Sequence, residues 1–220
     1  KTAVVAAAHD EHTLQAVFAA RRDGLIRPIL VGDKGKILSI AQDLGEDLEP
    51  DNVVDAGDDI GCAAASVALI RAGEGTMLIK GMLQTGILLK AVVNRGAGIR
   101  TGEVMSHVAI LDVPSYHKLL YVTDGGMVVA PTLEKKRHIL CCFLGYDCPK
   151  AAALCAVETE TPSMPETLDA AALKAEGARG DFGACLVEGP ISLDLATNGE
   201  AARVKGYQSP VAGDADILLA

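Results

Sequence analysis

The chain has 220 residues, a formal net charge of −9 at pH 7, 50% hydrophobic residues and only 3% aromatic residues. This length allows one large domain or two smaller ones with a well-buried core. The negative charge argues against nucleic acid as a partner, because phosphate backbones bind to basic surfaces. No apolar run reaches about 18 residues, so no membrane span is expected. Aliphatic runs separated by 23 glycines indicate parallel strands covered by helices.

Strand and helix patterns alternate in the first half of the chain. The predicted strands are residues 2–8, 27–33 and 76–81, and the predicted helices are residues 11–24, 36–45, 59–75 and 85–96. The glycines and polar residues of 97–106 form the best candidate for a boundary between domains. We therefore predict one domain over 1–102 and a second over 103–220.

The second half continues the alternation. The predicted strands are residues 107–113, 119–124, 150–157, 183–189 and 215–220, and the predicted helices are residues 131–145, 165–177 and 200–206. The whole chain is therefore predicted to be α/β. It begins and ends on an apolar strand, which leads us to expect that both ends of a longer protein are absent.

The six cysteines lack a C-x-x-C spacing, and most have apolar neighbours: Cys62, Cys141, Cys142, Cys148, Cys155 and Cys185. Their spacing does not suit zinc, so no metal site is expected. Reduced, buried thiols are typical of a cytoplasmic protein. The N-terminus also lacks the layout of a signal peptide, and we expect a cytoplasmic location.

The stretch "MLIKGMLQTGILLKAVV" (77–93) changes from a strand pattern to a helix pattern across a glycine loop. Lys80 ends the predicted strand, and Thr85 is predicted to cap the helix that follows. The first turn of a helix has unpaired N–H groups and a positive dipole end, so an anion binds there readily. The alternative is an ordinary helix cap beside an exposed lysine, because the loop matches neither a Walker A nor a G-x-G-x-x-G motif.

Five segments in fixed order resemble a known enzyme family. They are "KGMLQTGILLKAVV", "SHVAILDVPSYHKLLYVTDGGMVVAPTLEKK", "AVETETPSMPETLDAAAL", "VEGPISLDLA" and "KGYQSPVAGDADILL". Together they resemble the phosphate acyltransferases, which convert acyl-CoA and phosphate to acyl phosphate and CoA. The residues of the first two segments are more similar to the phosphate butyryltransferase branch than to the phosphate acetyltransferase branch.

The resemblance implies a fold, ligands and an assembly. The fold is two three-layer α/β domains with parallel-rich sheets, as in isocitrate and isopropylmalate dehydrogenases, with the active site in the cleft between the domains. The ligands are acyl-CoA, phosphate and acyl phosphate; CoA is a substrate or product, and no permanently bound cofactor is expected. A homodimer is also implied. The family's C-terminal Ser-Arg pair and nearby Asp, the proposed base for the CoA thiol, are not found in this chain, so the first domain is expected to lack its C-terminal part.

The resemblance also assigns candidate site residues. The phosphate-binding candidates are Lys80, Gly81, Thr85 and Arg100. The catalytic candidates are Ser106, His107 and Asp124. The substrate-binding candidates, expected on strand-end loops where α/β proteins place ligands, are Glu158, Pro190, Ser209, Gly213 and Asp214. Simpler roles stay open: a core histidine for His107, a solvated boundary residue for Arg100 and an ordinary turn for the Asp124 loop.

Other functions stay open as well. The chain fits a non-catalytic relative that binds CoA or an acyl phosphate, and it also fits a phosphate acetyltransferase. An oxidoreductase on the related dehydrogenase fold needs clustered aspartates on one helix for a metal. Asp214 and Asp216 are close together in the sequence, but they precede a predicted strand.

Overall fold

The structure is a computed structural model that describes residues 1–141 and 147–220. It divides into two compact units, Lys1–Gly102 and Glu103–Ala220. Each unit is an α/β layer structure, as the sequence predicts. Among the described residues, no helix combines the length and the apolar character needed to cross a bilayer.

Unit 1 (Lys1–Gly102) contains a parallel four-stranded sheet in the order β3-β2-β1-β4. Its strands are β1 (Thr2–Ala6), β2 (Arg27–Gly32), β3 (Val53–Asp55) and β4 (Met77–Lys80). Its helices are α1 (Glu11–Arg22), α2 (Lys34–Asp43), α3 (Asp59–Arg71) and α4 (Thr85–Val92), with a short 3₁₀ helix at Pro50–Asn52. The strand β3 lies outside the predicted elements, because its three residues are too few to produce a pattern.

Helices cover both faces of this sheet. Successive strand residues point to opposite faces, so Val5 packs with Phe18 and Ile37 of α1 and α2, while Val4 packs with Leu88 of α4. Both faces are therefore buried, which is why the strands of unit 1 are almost entirely aliphatic.

An aspartate caps three of the helices in unit 1. The side chains of Asp10, Asp33 and Asp58 each accept a hydrogen bond from the backbone amide three residues later, at 2.9, 3.0 and 2.7 Å. Such caps satisfy amides that the helix itself leaves unpaired. They fix the point at which the chain leaves the carboxyl edge of the sheet and enters a helix.

Unit 2 (Glu103–Ala220) contains a five-stranded sheet in the order β5-β6-β9-β7-β8. Its strands are β5 (Ala109–Leu111), β6 (Leu120–Thr123), β7 (Lys150–Leu154), β8 (Leu186–Ile191) and β9 (Ile217–Leu219). β5 is antiparallel to β6, and the other pairs are parallel. Helices α5 (Leu133–Cys141) and α6 (Pro165–Arg179) pack on one face, and α7 (Leu193–Thr197) and α8 (Gly199–Val204) pack on the other.

The predicted end of a helix in unit 2 differs from the structure. Helix α6 was expected to stop at Gly177 but continues to Arg179, and Gly180, with φ +85°, ends it. A Cβ on Gly177 would lie 2.9 Å from the Val187 side chain, so this glycine allows α6 to lie close to β8. Helix α7 lies outside the predicted elements, and residues 142–145 of the predicted helix 131–145 lie outside the described residues.

The cysteine prediction is partly wrong. Cys62 and Cys185 are buried, and Cys155 is half-buried, but Cys141 and Cys148 are exposed. Cys141 is exposed at the end of its helix, α5, and Cys148 lies between Asp147 and Pro149, outside the helices and strands. Cys142 lies outside the described residues.

Candidate functional site

The carboxyl edge of the sheet in unit 1 contains a topological switch point between β1 and β4. The chain passes from β1 to β2 and β3 on one side, and β4 is added on the other side. The helices that follow, α1 and α4, pack on opposite faces of the sheet. Open α/β sheets bind ligands in the crevice that this arrangement leaves. The glycine loop after β4 therefore lies where such a sheet offers a binding site.

Gly81 and Lys80 shape this loop. The amide of Gly81 donates to the carbonyl oxygen of Ala6 at 2.8 Å, and a Cβ on Gly81 would lie only 2.4 Å from the carbonyl oxygen of Ala7. Only glycine fits against the end of β1 in this way. Lys80 is exposed, and its Nζ donates to the carbonyl oxygens of Gly81 at 3.3 Å and Leu83 at 3.1 Å. The ammonium group is thus held at the loop.

The predicted cap of α4 is wrong by one residue. Gln84 is the N-cap and makes no side-chain capping bond, whereas Thr85 is the first helical residue. A helix begins here because Gln84 supplies the extended backbone and its carbonyl oxygen accepts from the Ile87 amide at 3.0 Å. Gln84 and Thr85 are both exposed, so the positive end of α4 is open to a ligand.

Arg100 is not brought to this loop. Ile99, its neighbour, donates its amide to the carbonyl oxygen of Val92, the last residue of α4, at 3.0 Å. An eight-residue helix is roughly 12 Å long, so Arg100 follows the opposite end of α4 from Thr85. The backbone of Arg100 is therefore separated from Lys80, Gly81 and Thr85, which lie together on the loop.

Asp124 organises the carboxyl edge of β6 in unit 2. Its side chain is 9% exposed and accepts three backbone amides: His107 at 2.8 Å on Oδ2, and Gly126 at 2.8 Å and Met127 at 2.7 Å on Oδ1. Burial alone raises the pKa of this carboxyl, but the amide donors, Met127 first, outweigh burial and hold the pKa below its usual value. Asp124 is therefore an ionised anchor between two segments of backbone.

Ser106 and His107 lie on the segment that Asp124 anchors. Ser106 is half-buried, and His107 is exposed, so the simpler role of His107 as a core histidine is wrong. A Cβ on Gly125 would lie 3.7 Å from His107 Nδ1, which places the imidazole next to the Asp124 loop. The three catalytic candidates are thus brought together by the structure.

Glu158 follows β7 at the same edge. Its Oε1 accepts the hydroxyl of Ser192 at 2.5 Å and lies 3.6 Å from Lys205 Nζ. The Ser192 hydroxyl, and then the Lys205 ammonium, outweigh burial and lower the pKa of the Glu158 carboxyl. Ser192, which follows β8, and Lys205 were missed, although the segment around Ser192 was part of the family resemblance.

Pro190 is buried inside β8, so its expected place on a strand-end loop is wrong, and it lies beside a buried carboxylate that was not among the candidates. Glu188 is 5% exposed, and its Oε1 accepts from Lys174 Nζ at 2.6 Å and from the Tyr207 hydroxyl at 3.0 Å. Burial, and then the Glu188 charge, raise the pKa of Tyr207, so this phenol stays protonated and donates. A single charge in the apolar run "CLVEGPI" was the available signal.

Ser209, Gly213 and Asp214 were expected on ligand-binding loops at the carboxyl edge, and for Gly213 and Asp214 this placement is wrong. These two residues lie just before β9, toward the amino ends of the parallel strands. The reason is connectivity, because the segment after α8 must return to the start of the next strand. Gly213 has φ +71°, and a Cβ there would lie 2.4 Å from the amide nitrogen of Gly199.

Asp214 contacts three basic side chains at that amino edge. It pairs with Lys150 Nζ, with Lys118 Nζ at 2.9 Å and with His117 Nε2 at 2.7 Å. The Lys150 ammonium is the largest cause of a pKa far below the usual value for this carboxyl. Lys118 precedes β6 and Lys150 begins β7, so the cluster joins the starts of three neighbouring strands.

A metal site has no support in the described ranges 1–141 and 147–220. They contain no group of three or more His, Cys, Asp or Glu side chains placed to hold a metal ion. The Lys80–Thr85 loop of unit 1 offers a lysine and an open helix N-terminus, which suit an anionic ligand.

Comparison with known proteins gives concordant matches. A family model described as "Phosphate acetyl/butaryl transferase" matches residues 56–220. The chain is 40% identical to phosphate butyryltransferase of Clostridium acetobutylicum over 100% of this chain and 75% of that protein. It is 36% identical to phosphate acetyltransferase of Thermotoga maritima over 100% of this chain and 76% of that protein.

A solved structure agrees with both. The crystal structure of a branched-chain phosphotransacylase from Enterococcus faecalis V583 superposes with a TM-score of 0.80 at 31% identity, covering 99% of this chain and 78% of that one. The sequence matches and the fold point to the same family. The chain belongs to the phosphate acetyl/butyryl transferase family.

Proposed function

We propose that this chain belongs to an enzyme that transfers a short acyl group between coenzyme A and inorganic phosphate. A phosphate oxygen attacks the carbonyl carbon of the thioester, the carbon–sulfur bond breaks, and the thiolate of CoA leaves and takes up a proton. The products are an acyl phosphate and CoA. The single observation that carries the proposal is the Lys80–Thr85 loop at the switch point of the sheet in unit 1, in a chain of this family.

Phosphate is assigned to that loop. The Lys80 ammonium supplies a full positive charge, and the open N-terminus of α4 supplies amide donors. The Thr85 hydroxyl lies at the same helix end and is a further donor. A fixed phosphate attacks a neighbouring carbonyl far faster than a freely diffusing one, because orientation and translation are already restricted.

The carboxyl edge of unit 2 is assigned to the acyl-CoA thioester. His107 and Ser106 supply an imidazole and a hydroxyl there, and these groups are suited to donate to a developing oxyanion or to exchange a proton with the thiol. Asp124 is assigned a positioning role, because its oxygens accept backbone amides, including that of His107. Glu158 remains a candidate for substrate binding at this edge, beside Pro190 in β8.

The acyl group is proposed to be butyryl, with acetyl as the alternative. The relatives named above include both a phosphate butyryltransferase and a phosphate acetyltransferase, at 40% and 36% identity. The butyryl assignment rests on the residues of the segments 80–93 and 106–136, which resemble the phosphate butyryltransferase branch. A non-catalytic relative that binds CoA or acyl phosphate is distinguished by the absence of turnover.

Release of CoA thiol from butyryl-CoA tests the proposal. We expect the complete protein to release thiol only when phosphate is present, and equal rates with and without phosphate would refute the transfer reaction. Lys80→Ala is expected to raise KM for phosphate more than KM for butyryl-CoA. Lys90→Ala, which removes the same charge from the last turn of α4, is the matched control and is expected to change neither constant appreciably.

The proposal extends to the assembly and location that the family resemblance implies, a homodimer in the cytoplasm. Acyl-CoA, phosphate and acyl phosphate are proposed as the only ligands, and CoA is a substrate or product, with no permanently bound cofactor. Light scattering of the complete protein measures the oligomeric state, and a monomeric mass at micromolar concentration would refute the dimer.

A further inference from the structure

Two cysteines lie side by side at the amino edge of the sheet in unit 2. Cys148 lies two residues before β7, and Cys185 lies immediately before β8. These strands are parallel neighbours, in which Lys150 pairs with Leu186. Ala220 lies at the other edge of this sheet, beyond the carboxyl end of β9. The two cysteines are therefore held together by the pairing of β7 with β8.

The backbone fixes the distance between the two cysteines. The Leu186 amide donates to the carbonyl oxygen of Pro149 at 2.9 Å, so the pairing of β7 with β8 extends back to Pro149 and Cys185. Neighbouring strands lie about 4.8 Å apart, and the step from Pro149 to Cys148 along the chain is about 3.8 Å. The Cα atoms of Cys148 and Cys185 are therefore roughly 6 Å apart, and disulfides join Cα atoms that lie about 4.4–6.8 Å apart.

The two thiols also influence each other. Burial, and then the charge of a Cys148 thiolate, raise the pKa of the Cys185 thiol to about 11. One thiolate opposes the ionisation of another only when the two sulfur atoms are close. Cys148 has φ +50°, outside the extended region, so the alternation that would turn its side chain to the opposite face from Cys185 does not apply to it.

The two thiols differ in access to solvent. Cys148 is exposed, whereas Cys185 is 5% exposed and packs in the apolar cluster that contains Leu173 and Phe182. A dissolved oxidant therefore reaches Cys148 first, and Cys185 reacts only with a group that Cys148 carries. An accessible thiol beside a second, resolving thiol is typical of cysteines that undergo reversible oxidation.

We propose that Cys148 and Cys185 form a reversible disulfide when the protein meets a low-molecular-weight disulfide of the glutathione type. The Cys148 thiolate attacks one sulfur atom of oxidised glutathione, and the other half leaves and takes up a proton. The Cys185 sulfur then loses its proton and attacks the Cys148 sulfur, and the second half leaves as a thiol. Two protein thiols are oxidised by two electrons in total, and one oxidised glutathione is reduced to two molecules of glutathione.

The modification is independent of the proposed acyl transfer. The bond joins the amino ends of β7 and β8, whereas Glu158 and Ser192 follow the carboxyl ends of the same strands. Disulfides in cytoplasmic proteins are usually transient, because the glutathione pool there keeps thiols reduced. We therefore expect the bond to form when oxidised glutathione accumulates and to be removed when the reduced form is restored.

Oxidation of the complete protein with oxidised glutathione tests the proposal. The number of titratable thiols is expected to fall by two, peptide mapping is expected to find Cys148 joined to Cys185, and dithiothreitol is expected to restore both thiols. Cys185→Ala should stop at a mixed disulfide with glutathione on Cys148, and Cys148→Ser should leave Cys185 reduced. Cys141→Ser removes another exposed thiol and is the matched control, which should form the same bond as wild type.

The outcomes are distinct. Joined peptides of Cys148 and Cys185 in wild type and Cys141→Ser, but in neither of the other two variants, support the inference. A bond from Cys148 to a different cysteine, a mixed disulfide that persists on wild-type Cys148, or an unreacted Cys148 overturns it. If Cys185→Ala fails to fold, as urea unfolding reports, the wild-type map and Cys148→Ser decide. Phosphate-dependent thiol release from butyryl-CoA is measured separately, and its failure overturns the proposed function alone.

Discussion

Replacing Asp124 by Asn should lower the free energy of unfolding by an amount that follows from its hydrogen bonds at the carboxyl edge of unit 2. The carboxamide oxygen can still accept from Gly126 and Met127, but its NH₂ group then faces the amide of His107, which bonds at 2.8 Å to the wild-type oxygen. A hydrogen bond to a charged group contributes about 1.5–3 kcal/mol. We therefore expect the free energy of unfolding to fall by about 1.5–3 kcal/mol, and the hydrogen-exchange protection of the His107 amide to be lost.

The pH dependence of this difference follows from the sign of the pKa shift. The folded pKa of Asp124 lies below the ordinary value of 3.8, so its stabilisation is complete above that value and is lost as pH falls through the folded pKa. In urea unfolding, the difference in unfolding free energy between wild type and Asp124→Asn should be complete at pH 7 and smaller below pH 3.8. Asp112→Asn, at an exposed residue of the same unit, is the control. A gap under about 0.5 kcal/mol at pH 7 would refute the anchoring role.

Three other substitutions, the first with a matched control, make sharp predictions. Gly81→Ala places a Cβ 2.4 Å from a carbonyl oxygen and should cost about 1–3 kcal/mol in unfolding free energy and raise KM for phosphate. Gly86→Ala is the control, because its Cβ would meet no atom within 4 Å; it should neither lower the unfolding free energy nor raise KM for phosphate. Asp214→Asn should lower stability at pH 7 by about 1 kcal/mol, and less in 1 M salt, because this cluster is partly exposed. Tyr207→Phe removes the 3.0 Å bond to the buried carboxylate of β8, and thermal unfolding should report a loss of about 1.5–3 kcal/mol; a Tm equal to that of wild type would contradict that bond.

The sequence predicted the helices and strands whose hydrophobic pattern extends over many consecutive residues. Long amphipathic helices and aliphatic strands were placed correctly, and the turn from β4 into α4 was found within one residue. The strand β3 and the helix α7 were missed because three and five residues are too short to show a period. The end of α6 was misplaced because Gly177 serves helix–strand packing, which depends on a distant residue, Val187.

The site was harder to predict because it depends on which ends of the strands meet. Motifs near the end of the chain placed Asp214 with the substrate residues, but strand direction puts it at the amino edge, in a cluster with Lys118 and Lys150. Conversely, Ser192 and Glu158 are far apart in sequence, and only the pairing of β7 with β8 brings them together. Spacing along a sequence carries no information about such pairing.

The position of β9 affects how the protein folds during synthesis. The four strands of unit 1 in this chain have all been translated once Lys80 is made. In unit 2, by contrast, β9 separates β6 from β7, although the ribosome produces it after both. Until residues 217–219 emerge, two aliphatic strands have unpaired edges, and the nascent chain is open to chaperones and to aggregation at this gap.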